Sequence, residues 1–361
     1  MNQDFQRTLV VVAIIFVALL GTSYGVAMAS GSGIGTFGIV LVSGLFNAML
    51  LFLVAAGLSI VFGLMDVLNL AQGAYFTIGA YVAWQFHHAP ALAFIQPDLR
   101  FVLGVLLATA IGAILGVILE RGLLQPLYER PIFQIVLTFG VGIVIGEILK
   151  AIWGVAAKQW VLPFSLQQGF FNVFGQQFSI YRLFVIIIGA ILIVAIAILL
   201  RNTRIGIIIR AGVEDDEMVE ALGINVRLVF TSVFTLGCAV ASFGGAVAAP
   251  FLGAGLGIGQ GFLLGAIAVI VLGGLGSYEG TAIASVLVGL AVQVVIQVSN
   301  YLGTVNFDPA VFMDGNAAFL ANMLNGITGT LGQTVWSSMT PMILLVLVLL
   351  LRPSGLFGKE R

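Results

Sequence analysis

The apolar run LFVIIIGAILIVAIAILL, residues 183–200, is followed directly by the polar segment RNTRIGIIIRAGVEDDEMVEALGINVR, residues 201–227. An uncharged run of this length is about long enough to cross the hydrocarbon core of a bilayer as a helix. The segment that follows groups charges that are too costly to place in lipid and must face water. These two neighbours define the pattern of the chain, in which apolar helices alternate with short polar connections.

Composition places the whole chain in the same class. Only 8% of the 361 residues are charged and 60% are hydrophobic, whereas about 25% of the residues in a soluble domain are charged. After residue 37, apolar runs occupy residues 39–64, 68–86, 101–120, 132–153, 182–200 (which contains the run quoted above), 228–250, 261–275, 281–300 and 337–351. The sequence therefore predicts an all-α, polytopic integral membrane protein with about 8–10 transmembrane helices. A net charge of −1 gives no reason to expect nucleic acid as a partner.

Two segments leave their relation to the membrane open. Residues 1–37 are hydrophobic and carry Arg7 before the apolar stretch and the triplet Ala27-Met28-Ala29 after it. This pattern fits either a cleaved signal sequence or an extra first membrane helix. The run at 261–275 is short and bounded by glycines, so it is either a full crossing or a re-entrant element. Residues 38–361 form the main membrane domain on either interpretation.

The distribution of basic residues predicts the orientation. When the runs alternate from an outer residue 38, ten Lys and Arg residues fall on the cytoplasmic side and four on the outer side. This excess agrees with the positive-inside rule. The 201–227 segment and the C-terminus are therefore expected in the cytoplasm.

Within the 201–227 segment the spacing predicts a short amphipathic helix. Glu214 and Asp215 lie with two further carboxylates in its first turn, where they favour the positive end of the helix dipole. Gly223 supplies the stop signal. An apolar face at spacing i, i+3, i+4 consists of Met218, Ala221 and Leu222. Such a helix suits insertion into a groove on a partner, although an ordinary solvated loop explains the same charges.

A second polar group begins the run near residue 68. Asp66, Asn69 and Gln72 are spaced i, i+3, i+6, which places them on one face if the segment is helical. Polar side chains at membrane depth face a bundle interior or a water-filled path. Gln134 and Thr138, an i, i+4 pair on another run, are further pathway candidates. The alternative for the first group is a helix start hydrated at the inner surface, with Asn69 as its cap.

The sequence gives no sign of catalytic chemistry. The chain contains no Walker A motif, so ATP-driven transport would need a separate ATPase subunit. His87 and His88 have no further His, Cys or acidic residue near them in the sequence that could serve as a metal ligand, so no metal site is expected. Nothing else in the sequence implies a cofactor.

Several blocks of sequence resemble one family, the branched-chain amino acid ABC transporter permeases. The block Arg210-Ala211-Gly212-Val213-Glu214-Asp215 with the later Leu222-Gly223-Ile224-Asn225 is similar to that family's coupling-loop signature. Other similar blocks are Gly57–Gly63 with Leu68–Phe76, Val271–Ser277, Glu120-Arg121 with Gln125-Pro126-Leu127, and Arg352–Gly358. They occur in family order from about residue 40 to 358, which is more specific than any single motif.

The resemblance implies a membrane permease subunit of an ABC importer in the bacterial inner membrane. It implies branched-chain or related hydrophobic amino acids as solutes, a periplasmic binding protein that delivers them, and ABC ATPase subunits. It also implies a second permease, either the same chain or a related one. On this resemblance Glu214, Asp215, Met218, Ala221, Leu222 and Gly223 couple the permease to the ATPase.

Departures from the family pattern leave the solute open. The chain has Gln72-Gly73-Ala74 where the family usually has His-Gly-Glu. Urea, short amides or aromatic acids therefore remain alternatives within the same class of transporter. A stand-alone secondary transporter or channel, and a structural subunit without transport, are the alternatives outside it.

Overall fold

A computed structural model describes residues 3–31, 33–128, 130–161, 164–173, 175–214, 216–305, 323, 325–333, 335–353 and 355–358. The first half of the chain forms α1 (Gln3–Ala29), α2 (Gly33–Met65), α3 (Gln72–His88), α4 (Pro97–Leu119) and α5 (Pro131–Trp153). The second half forms α6 (Ser165–Gln168), α7 (Ile180–Asn202), α8 (Arg204–Glu214), α9 (Asp216–Ala221), α10 (Val226–Leu252), α11 (Ile258–Gly273), α12 (Tyr278–Thr304), α13 (Asn325–Leu331) and α14 (Val335–Leu351). A π-helix at Glu120–Leu124 and single 3₁₀ turns at Pro90–Leu92 and Gln125–Leu127 complete the helical part.

The predicted membrane class is confirmed. Seven helices are long and apolar enough to cross a bilayer, or eight if the bent pair of α13 and α14 counts as one span, within the residues described. The apolar runs of the sequence correspond to α2, α3, α4, α5, α7, α10, α11, α12 and α14. Three of these, α3 and α14 with 17 residues each and α11 with 16, are shorter than the about 20 residues of a typical span.

The bundle is organised around α2, which packs against α10 and α12. Helix α10 also packs against α3 and α4, so α3 lies enclosed between neighbours. By contrast, α5 exposes a stripe of large apolar side chains that includes Val136 and Phe139. An exposed apolar stripe is the expected surface of a helix that faces lipid or a second membrane protein.

The connection after α5 forms an ordered cap, as expected from its aromatic and amide residues. It contains α6 and an antiparallel hairpin of β1 (Phe170–Val173) and β2 (Gln176–Ser179). Lys158 forms an isolated antiparallel bridge with Ala254, which ties the cap to the connection between α10 and α11. The other long connection, at 301–336, lies mostly outside the described residues.

Candidate functional site

The chain leaves α2 at Met65 and turns back into the bundle before α3 begins. Residues 66–71 are not helical, and Asp66 has a φ of 56° at the turn. The first residue of α3, Gln72, lies against Gly57 of α2 and Gly237 of α10. Gly57 is eight residues before the end of α2, and Gly237 is eleven residues after the start of α10. At about 1.5 Å per residue, α3 therefore starts some 12–16 Å inside the bundle.

Asn69 and Gln72 form a closed hydrogen-bond cluster at this break. The Asn69 side-chain amide donates to Gln72 Oε1 at 3.1 Å and approaches Cys238 Sγ at 3.8 Å. Asn69 Oδ1 accepts from the Ala71 backbone N–H at 3.1 Å. Gln72 Nε2 donates to the Gly237 carbonyl oxygen at 2.8 Å. Asn69 and Gln72 are both fully buried, so their polar atoms are satisfied by protein rather than by water.

Thr138 of α5 reaches the same non-helical segment. Its hydroxyl accepts from the Leu70 N–H at 3.2 Å and lies 3.4 Å from the Leu68 carbonyl oxygen. Thr138 is fully buried although most of α5 is exposed. The structure therefore brings three of the five pathway candidates, Asn69, Gln72 and Thr138, to one place.

The other two candidates lie elsewhere. Asp66 is exposed at the turn after α2 and makes no described contact with Asn69 or Gln72. The predicted shared helical face is wrong, because residues 66–71 are not helical and the i, i+3, i+6 spacing does not apply. Gln134 is buried, but its amide donates to the carbonyl oxygens of Leu127 and Tyr128 and so stabilises the turn before α5.

The hydrated-cap interpretation of Asn69 is also wrong. The N-cap of α3 is Ala71, without a side-chain cap bond, and Asn69 is buried. Gly237 and Cys238 belong to the cluster but were not expected there. The sequence of an apolar helix does not indicate which of its carbonyl or thiol groups will contact a polar side chain that lies 165 residues away in the chain.

The 201–227 segment forms a second candidate region, at the end of the bundle predicted to face the cytoplasm. It folds into α8 and the six-residue α9. Ile209 of α8 is buried in a cluster with Phe52 of α2, Val233 of α10 and Tyr278 of α12. Helix α8 therefore packs on the membrane helices α2, α7 and α10.

Helix α9 ends as the sequence predicts. Gly223, at φ 81°, donates its N–H to the Glu220 carbonyl oxygen at 2.9 Å, and the Ile224 N–H donates to the Val219 carbonyl oxygen at 3.3 Å. These two bonds are the Schellman arrangement that closes a helix with a left-handed glycine. Val219 is 4% exposed and faces inward.

Two large apolar side chains are exposed at α9. Met218 and Leu222 are 60% and 73% exposed, and they lie four residues apart on one face. Glu214 ends α8 rather than opening the short helix. Its side chain, that of Ala221 and all of Asp215 lie outside the described residues, so the acidic and third apolar positions stay predictions.

Polar contacts link this end of the bundle across several helices. Arg201, at the end of α7, pairs with Glu279 at the start of α12, with 2.5 Å between Nη2 and Oε1. The C-terminal block docks on the glycine-rich block that ends α11: the Leu356 N–H donates to the Leu272 carbonyl oxygen at 2.8 Å, and the Phe357 N–H to that of Gly273 at 3.0 Å. Two blocks that carry the family resemblance are therefore in direct contact.

Among the described residues, no group of three or more His, Cys, Asp or Glu side chains lies close enough to hold a metal ion. The arrangement offers a buried break in a membrane helix and an exposed apolar helix face outside the membrane.

Comparison with known proteins agrees with this architecture. The high-affinity branched-chain amino acid transport system permease protein LivH of Escherichia coli K12 is 26% identical over 318 residues, which is 85% of this chain and 91% of LivH. The corresponding permease protein BraD of Pseudomonas aeruginosa is 26% identical over 334 residues, 88% of this chain and 95% of BraD. A probable LivH of Methanocaldococcus jannaschii is 26% identical over 324 residues, 86% of this chain and 89% of that protein. No solved structure matches the chain.

The family model described as the permease component of the branched-chain amino acid transport system matches residues 40–349. This range includes most of α2, all of α3 to α13, both candidate regions and most of α14. The chain therefore belongs to the branched-chain amino acid transport permease family.

Proposed function

We propose that this protein is the membrane permease subunit of an ATP-binding-cassette importer. The observation that carries the proposal is the exposed pair Met218 and Leu222 on a short helix outside the membrane, 60% and 73% exposed. Two large apolar side chains in water are unfavourable unless a partner covers them. The partner that fits is the ATPase subunit, because the permease itself carries no nucleotide-binding motif.

Branched-chain amino acids are the proposed solutes. The relatives LivH and BraD are named for this solute class. The interior cluster of Asn69 and Gln72 is polar but uncharged, which suits a path for a solute without net charge. Urea, short amides and aromatic acids are the alternatives, and binding measurements on the cognate periplasmic protein distinguish them.

The remaining partners follow from the same proposal. A periplasmic binding protein delivers the solute to the outer face, and a second permease, identical or related, completes the pathway. The exposed apolar stripe on α5, with Val136 64% and Phe139 56% exposed, is assigned to lipid. The location is the bacterial inner membrane, in the orientation that the basic residues predict.

Force from the ATPase has a continuous route to the interior cluster. Helix α9 contacts α8 and α10, and α8 packs against α2 and α10. Helix α10 carries Gly237, which accepts the Gln72 bond at the start of α3. A displacement of α10 relative to α2 would move both walls that hold the break at residues 66–71. Such a break is where rigid helices change their relative position in alternating access.

The N-terminal helix is proposed to stay in the mature protein. Ser23 of α1 donates to Gln297 Oε1 of α12 at 2.8 Å, and Gln297 Nε2 donates back to the Ser23 carbonyl oxygen at 3.1 Å. Gln297 is 8% exposed in the middle of the bundle. Cleavage near Ala29 would leave its amide facing lipid without these partners, which is costly. Intact mass measurement of the purified chain tests this assignment.

The test of the function is reconstitution of the permease with its ATPase and binding protein in proteoliposomes. The wild-type complex is expected to import leucine only with ATP and loaded binding protein. The double variant Met218→Asp/Leu222→Asp is expected to lose solute-stimulated ATP turnover and copurification of the ATPase, because charges replace the apolar contact face.

The matched control is Glu220→Gln, which changes an exposed residue of the same helix about 200° around its axis from Met218. It is expected to retain turnover. Uptake by the purified permease without ATPase would instead identify a secondary transporter or channel. Wild-type turnover in the double variant would refute the docking role of α9.

A further inference from the structure

A groove of about 340 Å³ opens on the surface of the chain between α2, α11, α12 and α14. Its wall on α11 contains Gly261 and Leu264, and its wall on α14 contains Ser338 and Met342. The other side of α11 packs on α3, where the Gly259 N–H donates to Thr77 Oγ1 at 3.2 Å. The groove is therefore separate from the Asn69 and Gln72 cluster, with α11 between them.

An amide pair lies at the groove, near the middle of two long helices. Asn47 of α2 lines the groove and donates its Nδ2–H to Gln293 Oε1 of α12 at 3.2 Å. Each amide has more hydrogen-bonding capacity than this one bond uses. Neither residue is fully buried in the chain. Polar side chains at membrane depth are costly against lipid, so they face protein or water.

The groove combines these amides with apolar walls and no charge. Leu51, Phe262 and Leu264 supply aliphatic and aromatic surface, and none of the lining residues is ionisable. A solute with a net charge would lose hydration here without gaining a counter-charge. An amino-acid zwitterion carries its ammonium and carboxylate groups on the same carbon atom. Amide oxygens can therefore accept hydrogen bonds from the ammonium group while amide N–H groups donate to the carboxylate.

We propose that this groove is a solute-binding section of the translocation path, covered by the second permease in the assembled transporter. Its ligand is a net-neutral amino acid with an aliphatic side chain, whose polar head lies at Asn47 and whose side chain lies along Leu264 and Met342. The proposal rests on the proposed function and assigns the place and the chemistry of recognition within it.

A thiol-labelling experiment tests whether the groove holds water and solute. Leu264→Cys, on the groove, is compared with Val136→Cys on the exposed stripe of α5, because the two native side chains are 61% and 64% exposed. Cys238 is fully buried and does not compete for a hydrophilic reagent. In the reconstituted complex a charged thiol reagent is expected to label Leu264→Cys but not Val136→Cys.

Protection by solute completes this test. Leucine at saturating concentration is expected to slow labelling of Leu264→Cys, whereas lysine and glutamate are not. A cysteine that stays unlabelled, like the control, means that lipid or a dry contact covers the groove and overturns the proposal. If Leu264→Cys is labelled but leucine does not slow the reaction, the groove holds water and the solute assignment is overturned.

A second variant tests transport directly. A Cβ at Gly261 meets no atom within 4 Å, so the side chain of Gly261→Leu starts from an open position on the wall of the groove. Gly146 of α5 is equally open, so Gly146→Leu is the matched control. Gly261→Leu is expected to lose leucine uptake while still binding the ATPase, and Gly146→Leu to keep both.

The outcomes separate this proposal from the proposed function. Normal uptake by Gly261→Leu overturns the groove and leaves the importer assignment standing. Leucine-protected labelling of Leu264→Cys together with ATP-independent uptake overturns the importer assignment and leaves the groove standing.

Discussion

Gln72 donates its side-chain amide to the carbonyl oxygen of Gly237 at 2.8 Å, and this bond fixes the start of α3 inside the bundle. The two residues lie 165 positions apart in the sequence, and Gly57 of α2 lies against both of them. The first turn of this 17-residue helix is itself paired inside the bundle, because the backbone N–H groups of Gln72 and Tyr75 donate to the carbonyl oxygens of Asn69 and Ala71 at 3.2 and 3.1 Å.

The Gln72 side chain is expected to contribute measurably to stability. Gln72→Leu removes the second hydrogen bond to the Gly237 carbonyl oxygen and takes the Gln72 Oε1 acceptor away from the buried Asn69 amide, at a cost of about 1 to 2 kcal/mol. Thermal unfolding in detergent should show a lower midpoint for Gln72→Leu. Gln177→Leu, on the exposed hairpin, is the control and should unfold like the wild type. Equal midpoints for both variants would show that the bond is not stabilising.

Gly57 is expected to tolerate no side chain. A Cβ at this position would collide with the Gln72 amide and the Gly237 carbonyl oxygen. Because one of these is backbone that cannot rotate away, Gly57→Ala should destabilise the bundle by about 1–3 kcal/mol. Size-exclusion chromatography after mild heating measures the loss of folded protein. Gly146→Ala meets no atom within 4 Å and should behave as wild type.

The orientation can be tested by impermeant thiol labelling. Leu222, 73% exposed, is predicted in the cytoplasm, and Phe94, 82% exposed between α3 and α4, on the outer side. Leu222→Cys is expected to react only in inside-out vesicles and Phe94→Cys only in right-side-out vesicles. The wild-type chain serves as the unlabelled background, because Cys238 is buried. Labelling of Leu222→Cys from outside would contradict the docking of α9 to an ATPase.

The Arg201–Glu279 pair is expected to matter little for stability. Their side chains are 65% and 46% exposed, so water and salt screen the attraction. A double-mutant cycle with Arg201→Ala and Glu279→Ala should give a coupling energy of about 0.2–1 kcal/mol. Chemical denaturation at low and high salt measures it, and the coupling should shrink as salt is raised. A much larger or salt-independent value would mean that the pair is buried in the assembled transporter.

Local pattern was sufficient for the class of fold and for several details. Uncharged runs predict the membrane helices because the length and the apolar character needed to cross the hydrocarbon core are properties of each segment alone. The end of α9 at Gly223 was predictable for the same reason, since a left-handed cap depends on one glycine and its neighbours. Glu147 and Lys150 form an ion pair at 3.2 Å for the same local reason, since residues at i and i+3 are neighbours on a helix surface.

The interior cluster was only partly predictable. The sequence indicated that Asn69 and Gln72 lie together, but it placed them on a helical face with Asp66. The chain between Asp66 and Ala71 is not helical, because it must turn back from the end of α2 into a space bounded by Gly57 and Gly237. The sequence of residues 66–71 alone does not predict the size or the position of that space.

By itself the sequence determined a helical membrane protein with a charged segment outside the bilayer, because hydrophobicity and helix signals act over one or two turns. Only the tertiary structure decided that α3 starts inside the bundle, that Gln134 is a turn residue and that Cys238 lies against Asn69. These facts depend on how closely α2, α3, α5 and α10 approach one another, and that distance is set by side chains far apart in the chain.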